Sequence, residues 1–396
     1  MASEWKKLRI KDVVSFVVDN RGKTPPMQDE GHILLEVNAV SATEKFPLYQ
    51  EVRKHVSQEV YDTRFRKGHP KKGDILVPTV GTLGAVSLMN RDDCCIAQNL
   101  IALRCDEAIC HSHFLYYVLC NPLTRKRLLN LNIGGVQPSI KVPHLMELEI
   151  ELPGISEQKK IAKLLSLMDD KIFCNKRIND NLYEMVNAYF TSLFKDVECE
   201  MTTIGNYAER IYSGGTPTTS NAAYWDGAFG WFSSGETRNR FVISTEKTIT
   251  QAGIDNSSTK LAAKHDIVMA SAGQGFTRGQ TSMLLIDTYV NQSVIVIHAE
   301  RKVLPYLFWN LANRYEELRA ISDSSSIRGS LTTKMIAAFE IPLANEESLQ
   351  AFADFSWSVI PQIENNLLEN ERLAALRDNL LPKLMSGEID VSNIQL

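Results

Sequence analysis

The 396-residue sequence has no apolar run of roughly 18 residues and shows no charged-then-apolar segment at its start, so neither a spanning helix nor a secretory signal is expected and the protein should be soluble and cytoplasmic. Its seven cysteines, Cys94, Cys95, Cys105, Cys110, Cys120, Cys174 and Cys199, are odd in number and include no C-x-x-C, so free thiols in a reducing compartment are expected. Cys110-His111-Ser112-His113 lacks a second ligand pair at zinc spacing and reads as core and helix surface. No G-x-x-x-x-G-K-[ST] occurs, which excludes a P-loop ATPase. Asn121-Pro-Leu-Thr124 is not the Asn-Pro-Pro-aromatic motif of amino-methyltransferases, and Thr24-Pro-Pro-Met27 lacks its amide. Gly273-Gln-Gly-Phe-Thr-Arg-Gly279 is not framed by a strand-loop-helix unit with a downstream acid, so it reads as a sheet-edge turn and not a dinucleotide loop. Glu157-Gln-Lys159 has a nuclease-like spacing but opens a helix, with no acidic partner on a preceding strand. No catalytic, cofactor-binding or metal-ligating residue is therefore expected.

What the chain does have is one long narrow seam. In residues 156–194, Ile161, Leu165, Met168, Ile172, Leu182, Val186, Tyr189 and Leu193 fall at alternating steps of four and three, the period of a helix that pairs along a stripe. At about 1.5 Å per residue such a helix is close to 60 Å long, more than a compact domain needs. Sliding the sequence on itself by about 191 residues supplies the partner: Ile161, Met168, Ile172, Leu182, Tyr189 and Leu193 land on Phe352, Val359, Ile363, Leu373, Leu380 and Leu384. The polar seam residues Asn175 and Asn179 land on Asn366 and Asn370, and a polar layer fixes register because each amide needs a polar group opposite.

The flanking regions repeat as well. Lys72-Gly-Asp-Ile-Leu-Val-Pro-Thr-Val-Gly81 aligns with Lys264-His-Asp-Ile-Val-Met-Ala-Ser-Ala-Gly273, Lys23-Thr-Pro25 with Gly215-Thr-Pro217, Ser139-Ile140 with Ser330-Leu331, and Leu148-Glu-Ile150 with Phe339-Glu-Ile341. Short β-type runs at 12–18, 33–37, 74–80, 96–103 and 148–152, with a helix-like run over 112–131, predict an α+β domain with a mixed sheet. The expected organisation is a globule over 1–153, a helix over 154–196, a second globule over 197–343, and a second helix with tail over 344–396. The two long helices are expected to pair as an antiparallel coiled coil about a pseudo-two-fold axis, with Asn345 capping the second.

The net charge of −4 hides an uneven distribution: residues 1–150 hold 20 basic and 17 acidic side chains, residues 344–396 hold 3 and 9. Arg21, Lys23, Arg64, Arg66, Lys67, Lys71 and Lys72 make the first globule's loops basic, and Arg238, Arg240, Arg278 and Arg328 are the sparser set in the second. Arginine and lysine in loops suit phosphate and guanine contacts, while Gln137, Gln274 and Thr277 suit base edges. Thr24, Thr79, Thr82, Ser139, Lys141, Thr216, Thr218 and Lys334 complete the candidate nucleic-acid set. Two similar heads on a rod match the logic of DNA readers with spaced half-sites, and equally that of a protein-binding scaffold.

Four runs carry a family resemblance. Tyr212-Ser-Gly-Gly-Thr-Pro-Thr-Thr-Ser-Asn-Ala-Ala-Tyr-Trp-Asp-Gly227 resembles the opening of a target-recognition domain in the specificity subunits of type I restriction-modification systems. Lys72 to Gly84, with Gln98-Asn-Leu-Ile101, is similar to that domain's central block; Leu152 to Ile161 resembles the start of its spacer helix, and Leu380 to Ile389 the end of the second. The resemblance implies a non-catalytic subunit with two target-recognition domains, each reading part of a split double-stranded DNA target. The helices would act as a ruler and dock two methyltransferase subunits, through which restriction/translocase subunits attach. S-adenosylmethionine and ATP would be bound by those partners only. One departure is expected to matter: Glu347-Ser-Leu-Gln-Ala-Phe352 replaces the Glu-Gln motif at the second spacer, and Pro361 falls mid-helix, where it should kink or break the helix and unbalance docking.

Overall fold

A computed structural model of the chain describes residues 5–20, 22, 24–96, 98–135, 137–194, 200–273, 277–324, 329–391 and 394. It divides into two compact units, Met1–Phe173 with Glu371–Leu396, and Cys174–Asn370. The cut falls inside both long helices, Ile155–Phe194 and Glu346–Met385. Each unit therefore holds one globule plus half of each helix, a partition that a serial division into globule and spacer does not express.

In the first unit, the strand Glu149–Leu152 pairs antiparallel with Lys6–Arg9. A four-stranded sheet runs Val14–Val18, Leu100–Cys105, Ile75–Pro78, Ser87–Leu88, and a three-stranded sheet places His32–Leu35 between His55–Val56 and Cys94–Ile96. The run expected as one strand over 96–103 is two: Cys94–Ile96 joins the small sheet, and Leu100–Cys105 the larger one. The helical run over 112–131 is likewise divided into Ser112–Cys120 and Pro122–Leu129. Pro122 has no N–H for the first helix, and Asn121 caps the second by accepting from Leu123 N–H at 3.0 Å.

The second unit repeats the plan. Met201–Thr203 pairs with Glu340–Pro342; a five-stranded sheet runs Ala208–Ser213, Val294–Ala299, Ile267–Ala270, Thr281–Leu284, Phe241–Val242; a four-stranded sheet runs Lys247–Ile249, Trp225–Phe232, Thr288–Val290, Lys260–Ala262. The likeness reaches single bonds. Thr79 N–H donates to Asn99 C=O and Ile140 N–H to Thr79 C=O, both at 2.8 Å, while Ser271 N–H donates to Ser293 C=O and Leu331 N–H to Ser271 C=O, both at 2.9 Å. A buried aspartate begins the equivalent strand in each unit, Asp74 paired with Arg104 at 2.7 Å and Asp266 with His298 at 2.6 Å.

In the first unit Ile161, Leu165 and Met168 are buried in the core with Leu381 and Leu384, under Phe114, Leu115 and Leu119. In the second, Tyr183, Val186 and Phe190 pack with Phe352, Val359 and Ile363 around Trp309. Burying each large apolar side chain contributes about 1.5–3 kcal/mol, so each globule is anchored on its own stretch of the seam. Within the second unit the two helix halves run antiparallel: Asn175 Nδ2 donates to Asn370 Oδ1 at 2.9 Å, Asn366 Nδ2 to Asn179 Oδ1 at 2.7 Å, and the Tyr189 and Phe355 rings meet at 4.9 Å. Ile172 and Leu373 in the first unit and Leu182 in the second are half-buried.

Pro361 does not interrupt the second helix, contrary to the expected break. It lies on the exposed face, so the Trp357 carbonyl that loses its donor is on the solvent side, while Val359, Ile360 and Ile363 are held in the core around it. The changed motif at that helix start also has a packing account. Gln158 is buried and ties the first helix to its globule through Ile109 C=O at 3.1 Å, Pro153 C=O at 2.9 Å and His111 N–H at 3.0 Å. At the equivalent place Leu349 is buried as an apolar plug, and Asn345 Oδ1 caps the helix from Ser348 N–H at 2.8 Å.

Candidate nucleic-acid interface

In the first unit the basic residues are presented by a short helix and the turn after it. Ser57 Oγ accepts from Val60 N–H at 3.3 Å and starts the helix Gln58–Arg64. Phe65 is buried with Leu34, Val56 and Cys95, which turns Arg64, Arg66 and Lys67 outward. Gly68 takes φ +69°, a region L side chains avoid, and Asn20 staples the turn, donating to Gly68 C=O at 2.8 Å and accepting from Lys67 N–H at 3.0 Å. Behind the turn Tyr61 stacks on His69 at 3.6 Å and on His32 at 3.9 Å. Burial lowers the pKa of His69, so the positive charge at this turn comes from the arginines and the lysine.

Arg64, Arg66 and Lys67 border a cleft of about 760 Å³ with Asn20, Pro25, Pro26 and Gln98; Asp19 is the one acid on its wall among the described residues. Thr24 is exposed beside it, its carbonyl accepting from Arg64 at 3.4 Å. Gly22 and Gln98 also border a second cleft, about 390 Å³, lined by Thr79, Asn99, Ser139 and Lys141. The two clefts thus share a wall, and five separate segments of sequence meet there. Thr79 is 2 % exposed, and its Oγ1 has no partner among the described residues. Thr82 and Gln137 are exposed but line neither cleft.

In the second unit the candidates are more dispersed. Thr216 donates to Gln292 Oε1, and exposed Thr218 accepts from Trp225 Nε1 at 3.3 Å. Gly214 and Gly215 before them are required by close approach: a Cβ would fall 1.9 Å from Val290 O and 2.7 Å from the Ser258 carbonyl carbon. Arg238 is exposed and paired with Glu246. Thr277 is half-buried, and Lys334 is exposed on the helix Thr333–Ala337.

Two arginines differ from the expectation of a loop surface. Arg240 lies over the Tyr183 ring at 4.2 Å and 3.7 Å from Asp180, against the first long helix. Arg278 is a brace: its guanidinium meets Asp323 at 2.6 Å, Gly329 C=O at 2.5 Å and Ser322 Oγ at 3.3 Å, with its side chain 17 % exposed. Turning Arg278 to a phosphate would break those bonds. Arg21, Lys23, Gln274 and Arg328 lie outside the described residues.

Asn20 and Gln98, which line the first cleft, and Gln292, which accepts from Thr216, are absent from the set expected from sequence. The two glutamines were visible as Gln98-Asn-Leu-Ile101 and Gln292-Ser-Val-Ile295, an alignment within the repeat that charge and hydroxyl content did not weigh. Cys110 is fully buried, and His113 contacts Ser166 Oγ at 3.3 Å. No group of three metal-ligating side chains occurs among the described residues.

The family model of the type I restriction modification DNA specificity domain matches residues 2–184 and again 197–371. The chain belongs to that family. Among curated relatives of this specificity-domain chain, the type I restriction enzyme HindI specificity subunit of Haemophilus influenzae is 20 % identical, covering 81 % of this chain and 87 % of its own length. The type I restriction enzyme MjaIX specificity subunit of Methanocaldococcus jannaschii is 22 % identical over 72 % and 70 %. The crystal structure of the type I restriction-modification system S subunit from M. genitalium shares the fold at 19 % identity, with a TM-score of 0.62 and 96 % of both chains covered. No helix among the described residues is long and apolar enough to cross a membrane.

Proposed function

We propose that this chain is the DNA-specificity subunit of a type I restriction-modification complex. It binds a bipartite double-stranded target, one half-site per globule, and docks two methyltransferase subunits on its long helices, with restriction/translocase subunits attached through them. It has no catalysis of its own; S-adenosylmethionine and ATP are bound by the partners, and the complex works on DNA in the cytoplasm. The supporting observation is the convergence of Arg64, Arg66 and Lys67 on one cleft that continues past Gln98 to Thr79, Ser139 and Lys141 in a member of this family. The cations suit phosphates, and the neutral donors beside them suit base edges. Arg21 and Lys23 are included from the sequence alone, Thr24 stands exposed beside Arg64, and Thr82 and Gln137 belong to the neighbouring loops. Thr216, Thr218, Arg238, Gln274, Thr277, Arg328 and Lys334 are the counterpart set, from which Arg240 and Arg278 are withdrawn.

The test is binding by the chain purified with its methyltransferase partner. Mapping the modified adenines in a genome carrying both supplies the split target. The assembly should bind that duplex far better than scrambled duplexes, with affinity falling steeply as salt rises. Equal affinity for all duplexes at moderate salt rejects the reading and leaves a helical protein-binding scaffold.

A further inference from the structure

The two globules carry one polar pair in the same place. Thr24 precedes Pro25 as Thr216 precedes Pro217, and Gln98 and Gln292 each stand two residues before the equivalent strands Leu100–Cys105 and Val294–Ala299. In the first unit Gln98 Nε2 donates to Thr24 Oγ1 at 3.3 Å and to Gly22 C=O. In the second, Thr216 Oγ1 donates to Gln292 Oε1. Of three protons in each pair, the first spends two, on Thr24 and Gly22, and keeps the Thr24 hydroxyl to give; the second spends one and keeps the Gln292 amide. Thr24 and Gln292 are both exposed.

Around this shared pair the units diverge. The helices Gln58–Arg64 and Gln251–Asp255 are equivalent, since Gln58 bonds Asp62 at 3.0 Å as Gln251 bonds Asp255 at 2.8 Å. The segments C-terminal to them differ: Phe65-Arg-Lys67 after Arg64 in one, Asn256-Ser-Ser-Thr-Lys260 in the other. In the second, Ser257 Oγ is turned back to Gly253 C=O at 2.7 Å and Thr259 Oγ1 to Val290 C=O at 3.0 Å.

Resting on the DNA-specificity reading above, we propose that the Thr24–Gln98 and Thr216–Gln292 pairs each donate a hydrogen bond to the sugar-phosphate backbone, gripping both half-sites alike without reading sequence. Two heads that read different half-sites share the backbone of their ligand, so a pair kept in both is matched to what both meet, whereas the segment after the short helix, free to differ, discriminates. The contact is neutral, so it releases no counterion and adds nothing to the salt dependence.

The test uses the full chain with its methyltransferase partner and duplexes carrying the intact target or base substitutions in one half-site. Thr24→Val and Gln292→Leu should each weaken binding to every duplex by a common factor of about 3–10, the worth of one neutral hydrogen bond. The preference for the intact over the substituted half-site, and the slope of affinity against salt, should stay as in the unsubstituted assembly. Thr24→Ser, which keeps the hydroxyl, should restore affinity and so separate a lost contact from a disturbed fold. A fall in the preference at the corresponding half-site, or unchanged affinity in both variants, would overturn the inference while leaving the specificity reading intact. Absence of any preference in the unsubstituted assembly would sink that reading and this inference with it.

Discussion

The Asn175 layer of the helix pair makes a quantitative prediction about coupling. Asn175 is fully buried and Asn370 is 8 % exposed. Asn175 Nδ2 donates twice, to Asn370 Oδ1 at 2.9 Å and Glu369 Oε2 at 2.7 Å, whereas Asn175 Oδ1 and Asn370 Nδ2 have no partner among the described residues. Asn175→Leu removes the donor to two acceptors, at about 1–3 kcal/mol each. Burying leucine returns about 1.5–3 kcal/mol, leaving a net loss of about 0.5–3 kcal/mol. Asn370→Leu should cost less, because Asn175 keeps its bond to Glu369. The double substitution removes both orphaned atoms and leaves an apolar layer, so it should be close to neutral or stabilising. Thermal and urea unfolding of the four proteins gives the cycle. For a unit of this size each kcal/mol moves the melting temperature by about 2–4 °C, so Asn175→Leu is readily resolved. Additive single effects, within about 0.5 kcal/mol, would refute the coupled layer.

The same packing sets three further outcomes. Asp169 is 5 % exposed and accepts from Arg377 and from Tyr117 Oη, both at 2.6 Å; although burial opposes the arginine's charge, Asp169 and Asp378 raise its pKa. Arg377→Met should therefore cost about 3–5 kcal/mol in unfolding experiments, whereas Lys7→Met, which breaks the exposed pair with Glu151 at 3.6 Å, should cost under about 1 kcal/mol. Pro361→Ala restores a donor to the Trp357 carbonyl in a helix that is already continuous, and should raise stability by about 1–3 kcal/mol; a loss would mean that the proline is needed for the helix path. Burial, with the charges of Lys45 and His111, depresses His113 to about 4, and burial also lowers His69 and His111. Their unfolded forms take up protons near pH 6.5 and the folded forms only at lower pH, so stability is full above about 6.5 and declines as pH falls toward 4. A melting series across that window should show the decline, and His113→Asn should flatten it.

Periodicity and self-comparison were enough for the architecture. A seam of fours and threes defines a long helix, its copy about 191 residues on defines the partner, and asparagines at matching layers restrict the register, because an amide buried opposite leucine is left without a bond. Local rules also located Asn345 as a cap. Other features depended on distant contacts. Charge composition treated Arg66 and Arg278 alike, yet buried Phe65 faces one to a cleft, while Asp323 and Gly329 draw the other inward. The proline rule anticipated a break at Pro361, but exposure of that face and burial of its neighbours hold the helix through it. Cys94–Ile96 and Leu100–Cys105 join different sheets, a choice made by their partners and not by propensity. The shared wall at Gly22 and Gln98 exists only where segments far apart in sequence close on one another, since a local pattern records which side chains are available but not which of them meet.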